Sequence, residues 1–213
     1  MGLKERRERE KLERKKQILD AARTLLLDKG LQATSINRIA KVAELGVATL
    51  YSYYKNKEDL YVALQEEGLS LLYSKIQEAA RKGKTPSDKI KKMALAYYQF
   101  SEVQKDYFDV INYFLTTPRV IFSQDKKTLV DLLGDKILTE IKRAINEGAQ
   151  KGIYQKVDTT RSAIMLWATL NGLIQFKKMK TTLLQGENHK VLYTIAVEQF
   201  IRSLMVDRPL AQP

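Results

Sequence analysis

What this 213-residue chain lacks narrows its chemistry first. It has no cysteine, which excludes disulfides, thiolate metal sites and a cysteine nucleophile and suits a reducing compartment. Its single histidine, His189, has no second histidine or paired carboxylates near it and reads as a surface residue beside a helix cap. There is no glycine-rich phosphate loop, nucleophile elbow or metal-ligand spacing. The residues therefore offer no catalytic constellation, metal site or cofactor site. No stretch approaches the roughly 18 uninterrupted apolar residues of a membrane helix. Met1 to Lys16 is too charged to supply the apolar segment of a signal peptide. The expectation is a cytoplasmic protein with no membrane partner.

Proline (4) and glycine (10) are sparse enough to leave room for long helices, and no alternating strand-like run or internal repeat stands out. Positive charge is in excess, with a formal net charge of +12, which suggests a polyanionic partner. Residues 1–60 hold 14 Lys/Arg against 9 Asp/Glu, and the remainder holds 23 against 16. Charge is thus spread along the chain and does not by itself locate the contact.

Helical periodicity dominates throughout, at roughly nine helices. Lys4 to Lys16 is a charged helical arm, with Glu5/Arg9 and Glu10/Arg14 at supporting spacing. It reads either as a DNA-contacting extension or, by preference, as a solvated one. An amphipathic helix follows from Ile18 and stops at Gly30. Ser35 caps a short helix to Ala43, Glu44-Leu45-Gly46 turns, and a second short helix ends near Tyr54. Asn56, with Asp59 three residues on, caps a long helix to about Arg81. Further helices follow Pro86 and Asp106, the latter acting as a cap, with a stop at Thr117-Pro118. A helix over 124–149 is closed by Gly148 and Gly152, and others cover 159–177 and 188–204.

Small Ala40 and Ala43 let two short helices cross before a tight turn, as a helix-turn-helix requires. The second of them turns Leu50 inward and exposes Val47, Ala48, Thr49, Ser52 and Tyr53, short enough at its start for a major groove about 12 Å wide. Tyr51, Tyr53, Lys55 and Lys57 are donors suited to phosphates.

Residues 17–60 resemble the DNA-binding domain of the tetracycline-repressor (TetR) family. The resemblance lies in Ala21-Ala22, Leu25-Leu26, Gly30, Thr34-Ser35-Ile36, Ile39-Ala40, Ala43 and the run Thr49-Leu50-Tyr51-x-Tyr53-Tyr54-Lys55-Asn56-Lys57-Glu58-Asp59-Leu60. It implies an all-α fold in which a three-helix head is joined by a long helix to a larger ligand-binding and dimerisation domain. The implied boundaries are an arm over 1–16, the head over 17–57 and the larger domain over 58–213. It further implies phosphate contacts by Ser35, Asn37 and Lys57, and a reading surface of Gly46, Val47, Ala48, Thr49, Tyr51 and Tyr53. Three positions depart from the family pattern: Glu44 where glycine is common, Gly46 where a Ser/Thr cap is common, and Ala48 where glycine is common.

In the C-terminal part, Tyr97, Phe100, Tyr107, Phe108, Tyr113 and Trp167, with polar Gln104 and Asn171, read as a ligand-cavity lining or as ordinary core. Leu133, Ile137, Ile141, Leu166, Leu170, Leu173 and Ile174 read as a homodimer interface of four helices or as monomer core. Lys177, Lys178 and Lys180 read as a solvated helix end in preference to an anion site. The function expected is a ligand-responsive regulator, a repressor, holding a palindromic site on double-stranded DNA as a homodimer. A largely apolar small-molecule effector would release it. The other reading is an effector-independent or architectural DNA-binding protein with a solid core.

Overall fold

The computed structural model describes residues 2–116, 123–177 and 188–206. Among them are nine helices: α1 Leu3–Ala33, α2 Ile36–Val42, α3 Val47–Tyr53, α4 Lys57–Lys82, α5 Pro86–Val103, α6 Lys105–Thr116, α7 Gln124–Gln150, α8 Thr159–Phe176 and α9 His189–Leu204. The β-structure described there is a single bridge between Tyr154 and Met205. No helix among the described residues is long and apolar enough to cross a membrane. Thr117-Pro118, Lys178 and Lys180 lie outside the described residues.

Two compact units emerge, Met1–Ser70 with Gln104–Leu132, and Leu71–Val103 with Leu133–Pro213. In the first, α1 packs on α2 and α6, and α2 on α3. Ile18, Ala22, Ile39, Leu50, Leu60 and Leu64 form a fully buried core, which Val110 of α6 completes. Two helices of seven residues are too short to be stable alone, so α2 and α3 persist because Ile39, Ala40 and Leu50 are buried in that core.

Chain ends follow local chemistry. Gly30 interrupts α1 at φ 73°, the expected break. Ser35 caps α2, its Oγ accepting from the Arg38 N–H at 3.3 Å. Asn56 caps α4 by accepting from the Asp59 N–H at 2.8 Å. Thr85 Oγ1 accepts from the Asp88 N–H, and the Asp88 carboxylate accepts from the Lys84 N–H. That reciprocal cap starts α5 with Pro86 as its first residue.

Three expectations need correction. Asp106 does not cap α6: the Gln104 carbonyl accepts from the Phe108 N–H, and Asp106 sits in the first turn, where a negative charge suits the dipole. Gly148 does not close α7. The left-handed residue is Gly152 (φ 66°), with Ile153 N–H donating back to the Gly148 carbonyl and Gly152 N–H to Ala149. Gly148 instead gives room to the Tyr154 ring, which a Cβ there would overlap. His189 is buried, at 5% exposure, rather than a surface residue. The Lys177 N–H turns to Ile174 and Gln175, and His189 Nε2 lies 2.6 Å from the Leu173 carbonyl, supplying the partner the helix end lacks.

In the second unit α8 packs on α9, and both pack on α5. Tyr193 hydroxyl donates to the Ala94 carbonyl at 2.8 Å, and Tyr98 meets Tyr193 edge-on. Ile137, Ile141, Ala144 and Ile145 form the buried stripe of α7.

Candidate nucleic-acid interface

The turn between α2 and α3 is built from hydrogen bonds that end one helix and aim the next. Leu45 N–H donates to the Ala40 carbonyl at 2.9 Å and Glu44 N–H to Lys41 at 3.2 Å. This closure requires a left-handed residue, and Glu44 takes it at φ 52°. The family's common glycine at this place thereby has its physical reason, and Glu44 keeps the geometry at some strain. Gly46 is the N-cap of α3 with no side-chain bond, its carbonyl accepting from Leu50 N–H at 3.2 Å.

α3 turns Leu50 entirely into the core and leaves Gly46, Val47, Ala48, Thr49, Tyr51 and Ser52 exposed, with Tyr53 half-buried. Tyr54 packs inward, and burial raises its phenol to about 12. Ser35 and Asn37 are exposed at the start of α2, and Lys55 is exposed after α3. Lys57 is half-buried, its ammonium 5.4 Å from the Tyr61 ring centroid, and desolvation lowers its pKa. The expected reading residues thus share the outer side of one short helix. Arg38 and Lys41, also exposed on α2, add positive charge that sequence reasoning passed over. Their spacing of three was the available signal.

Beside Lys57, the first turn of α4 carries Glu58 and Asp59. Lys126 of α7 reaches both, at 3.1 Å and 2.7 Å, and Ser123 N–H donates to Glu58. Hydrogen bonds from Ser123 and Lys126 hold Glu58 below its usual range, and Lys126 does the same for Asp59.

The proposed effector residues divide between the units. Tyr97, Phe100, Trp167 and Asn171 belong to the second, and Gln104, Tyr107, Phe108 and Tyr113 to the first. Tyr97 is buried and donates to Asn171 Oδ1 at 2.8 Å, with burial raising its phenol beyond the ordinary range and Trp167 beside it. Tyr107 lies under the Arg23 guanidinium, 4.5 Å from its ring centroid. Between α5 and α9 runs a surface groove of about 170 Å³ walled by Leu95, Tyr98 and Tyr193, below the roughly 300 Å³ a typical small-molecule cavity needs. Lys177 is ion-paired with Glu102.

Of the seven expected interface residues, Ile137, Ile141, Leu166, Leu170 and Ile174 are buried within this chain, while Leu133 and Leu173 are half-buried. The exposed apolar side chains of α8 are instead Ile164, Met165 and Phe176, and those of α9 are Val191 and Ile195. An amphipathic pattern marks a buried face but not whether its cover comes from the same chain.

Residues 18–64 match the family model of the bacterial regulatory proteins of the tetR family. Over 156 residues the chain is 26% identical to YhgD of Bacillus subtilis, an uncharacterized HTH-type transcriptional regulator, covering 73% of this chain and 79% of that one. It is 31% identical over 74 residues to the fatty acid metabolism regulator protein of Bacillus subtilis, 35% of this chain and 38% of that protein, so less than half of that relative is matched. Among solved structures, the transcriptional regulator FadR from Bacillus subtilis in complex with stearoyl-CoA has a TM-score of 0.74 at 20% identity, covering 88% of this chain and 98% of that one. The likeness to FadR is one of fold.

Proposed function

We propose that this chain is a ligand-responsive repressor of the tetR type that holds a palindromic operator as a homodimer, a reading supported by the match of residues 18–64 to the model of that family of bacterial regulatory proteins. The observation that carries the reading is α3: its outer side is open and small, while Leu50 anchors it in the core. Gly46, Val47, Ala48 and Thr49 meet base edges, Thr49 and Ala48 offering methyls to thymine. Ser35, Asn37, Tyr51, Tyr53, Lys55 and Lys57 hold phosphates and set register.

Two heads must reach half-sites about 34–36 Å apart or a multiple of it, which calls for a fixed pair of chains. The open apolar side chains of α8 and α9 supply the surface for a second copy. A largely apolar effector is supported by buried Tyr97 beside half-buried Asn171 and Trp167 and by the stearoyl-CoA held by a protein of the same fold. Moving operator occupancy from nearly full to nearly empty requires the effector to prefer the released form by about 10⁴-fold. α4, which starts at the head and continues into the second unit, is the lever.

One observation favours the effector-independent reading: Tyr97 and Asn171 already satisfy one another, as they would in a solid core. Selection of a binding site from random duplexes, followed by titration of the complex with long-chain acyl-CoA, separates the two. The repressor reading expects a palindrome bound by two chains and released by ligand. A palindrome whose occupancy no acyl-CoA changes would favour the solid-core reading, and an asymmetric site bound by one chain would remove the dimer.

A further inference from the structure

By its composition the N-terminal arm reads as a solvated extension, and its geometry argues otherwise. α1 runs without interruption from Leu3 to the break at Gly30, and residues 2–16 are all exposed. At 3.6 residues per turn, Lys4, Arg7, Lys11, Arg14 and Lys15 fall within an arc of about 100°. No carboxylate lies inside that arc. The other arginines of the arm stand outside it and are neutralised on the helix itself, Arg6 by Glu10 at 2.9 Å and Arg9 by Glu13 at 4.0 Å. Lys4, Arg7, Lys11 and Lys15 have no ion-pair partner among the described residues. The helix therefore sorts its charge into a self-neutralised side and an open cationic stripe.

The stripe is also aimed. Its heptad positions 4, 11 and 7, 14 continue as Ile18 and Ala21, which with Ala22 face the core shared with Ile39, Ala40 and Leu50. The basic stripe therefore continues the inner face of α1, the side on which α2 and α6 pack and into whose core Leu50 of α3 points. Its base is tied to the helix-turn-helix: Arg14 donates to Gln17 Oε1 at 3.0 Å, and Gln17 Nε2 donates to the Ala43 carbonyl, the C-cap of α2, at 2.7 Å. Lys4 to Lys15 spans about 16 Å of helix, over which one DNA strand presents about five phosphates along its axis.

We infer that the Lys4/Arg7/Lys11/Arg14/Lys15 stripe is a second DNA-contacting surface, gripping phosphates flanking the groove that α3 reads. The inference rests on the DNA-binding reading of the head. It adds sequence-independent affinity and a steeper salt dependence, since each phosphate contact releases condensed counterions.

Two variants of equal charge test it: Arg7→Gln/Lys11→Gln on the stripe and Arg6→Gln/Arg9→Gln on the neutralised side. Glutamine is a good helix former, and circular dichroism checks that the helix persists. Binding to a fluorescent mixed-sequence duplex is followed by anisotropy across a salt series. The stripe variant is expected to bind roughly tenfold more weakly, with a log K against log salt slope shallower by about 2 per arm. The other pair is expected to retain the wild-type slope. Equal losses in both would reduce the effect to net charge, and no loss in either would make the arm a solvated extension. Each outcome overturns the inference. A wild-type chain that bound no duplex would overturn the DNA reading of the head itself.

Discussion

Glu44 shows at single-residue scale how the head tolerates a departure from the pattern of the family it resembles. The α2–α3 turn needs a positive φ, and Glu44 adopts 52° without glycine's freedom. Replacing it, Glu44→Gly, is expected to stabilise the chain by about 1 kcal/mol, part of the relieved strain being offset by glycine's larger unfolded-state entropy. Urea unfolding of both chains measures it. A lower midpoint for the glycine variant would mean that the Glu44 side chain contributes more than the strain costs. His189 gives the opposite lesson. Nothing near it in sequence signals burial, because its partner is a helix-end carbonyl sixteen residues away at Leu173.

At the scale of elements, the short helices were legible because their determinants are contiguous: Ser35, Ala40, Ala43, Gly46 and Asn56 cap, cross or turn within a few residues of where they act. The attachment of α7 to the head was not. Its first turn is joined to α4 by Lys126 with Glu58 and Asp59, across more than sixty positions. Both carboxylates are held below their usual range, so what the clamp adds to stability is present at neutral pH. It is lost only as pH falls from the ordinary carboxylate range through those lowered values. Lys126→Met is expected to speed amide exchange in the first turn of α7 at neutral pH while leaving the centre of α1 protected. Exchange unchanged at that turn would show that apolar packing alone holds it. Asp59 also accepts from the Lys55 backbone and lies in the field of that lysine, so the clamp sits beside a proposed phosphate donor.

On the scale of the whole molecule, the proposed homodimer is assigned to the open side chains of α8 and α9. Ile164 and Met165 are 46% and 66% exposed, whereas Leu166 and Leu170 are interior. Ile164→Asp/Met165→Asp is therefore expected to give a folded monomer by light scattering, with weakened operator binding. A dimer that survives both changes would move the interface elsewhere.

Sequence alone determined the helix-turn-helix and the all-helical class. Those follow from caps, turn residues and helical periodicity, which act over one to four residues. Tertiary structure decided that Val110 of α6 completes the core of the head and that the apolar stripes of α7 and α8 are covered by their own chain. It also decided that the basic side of the arm continues the inner face of α1. The physical reason is the same in each case: periodicity states that a face is buried or charged, but what meets that face depends on residues brought close only by folding.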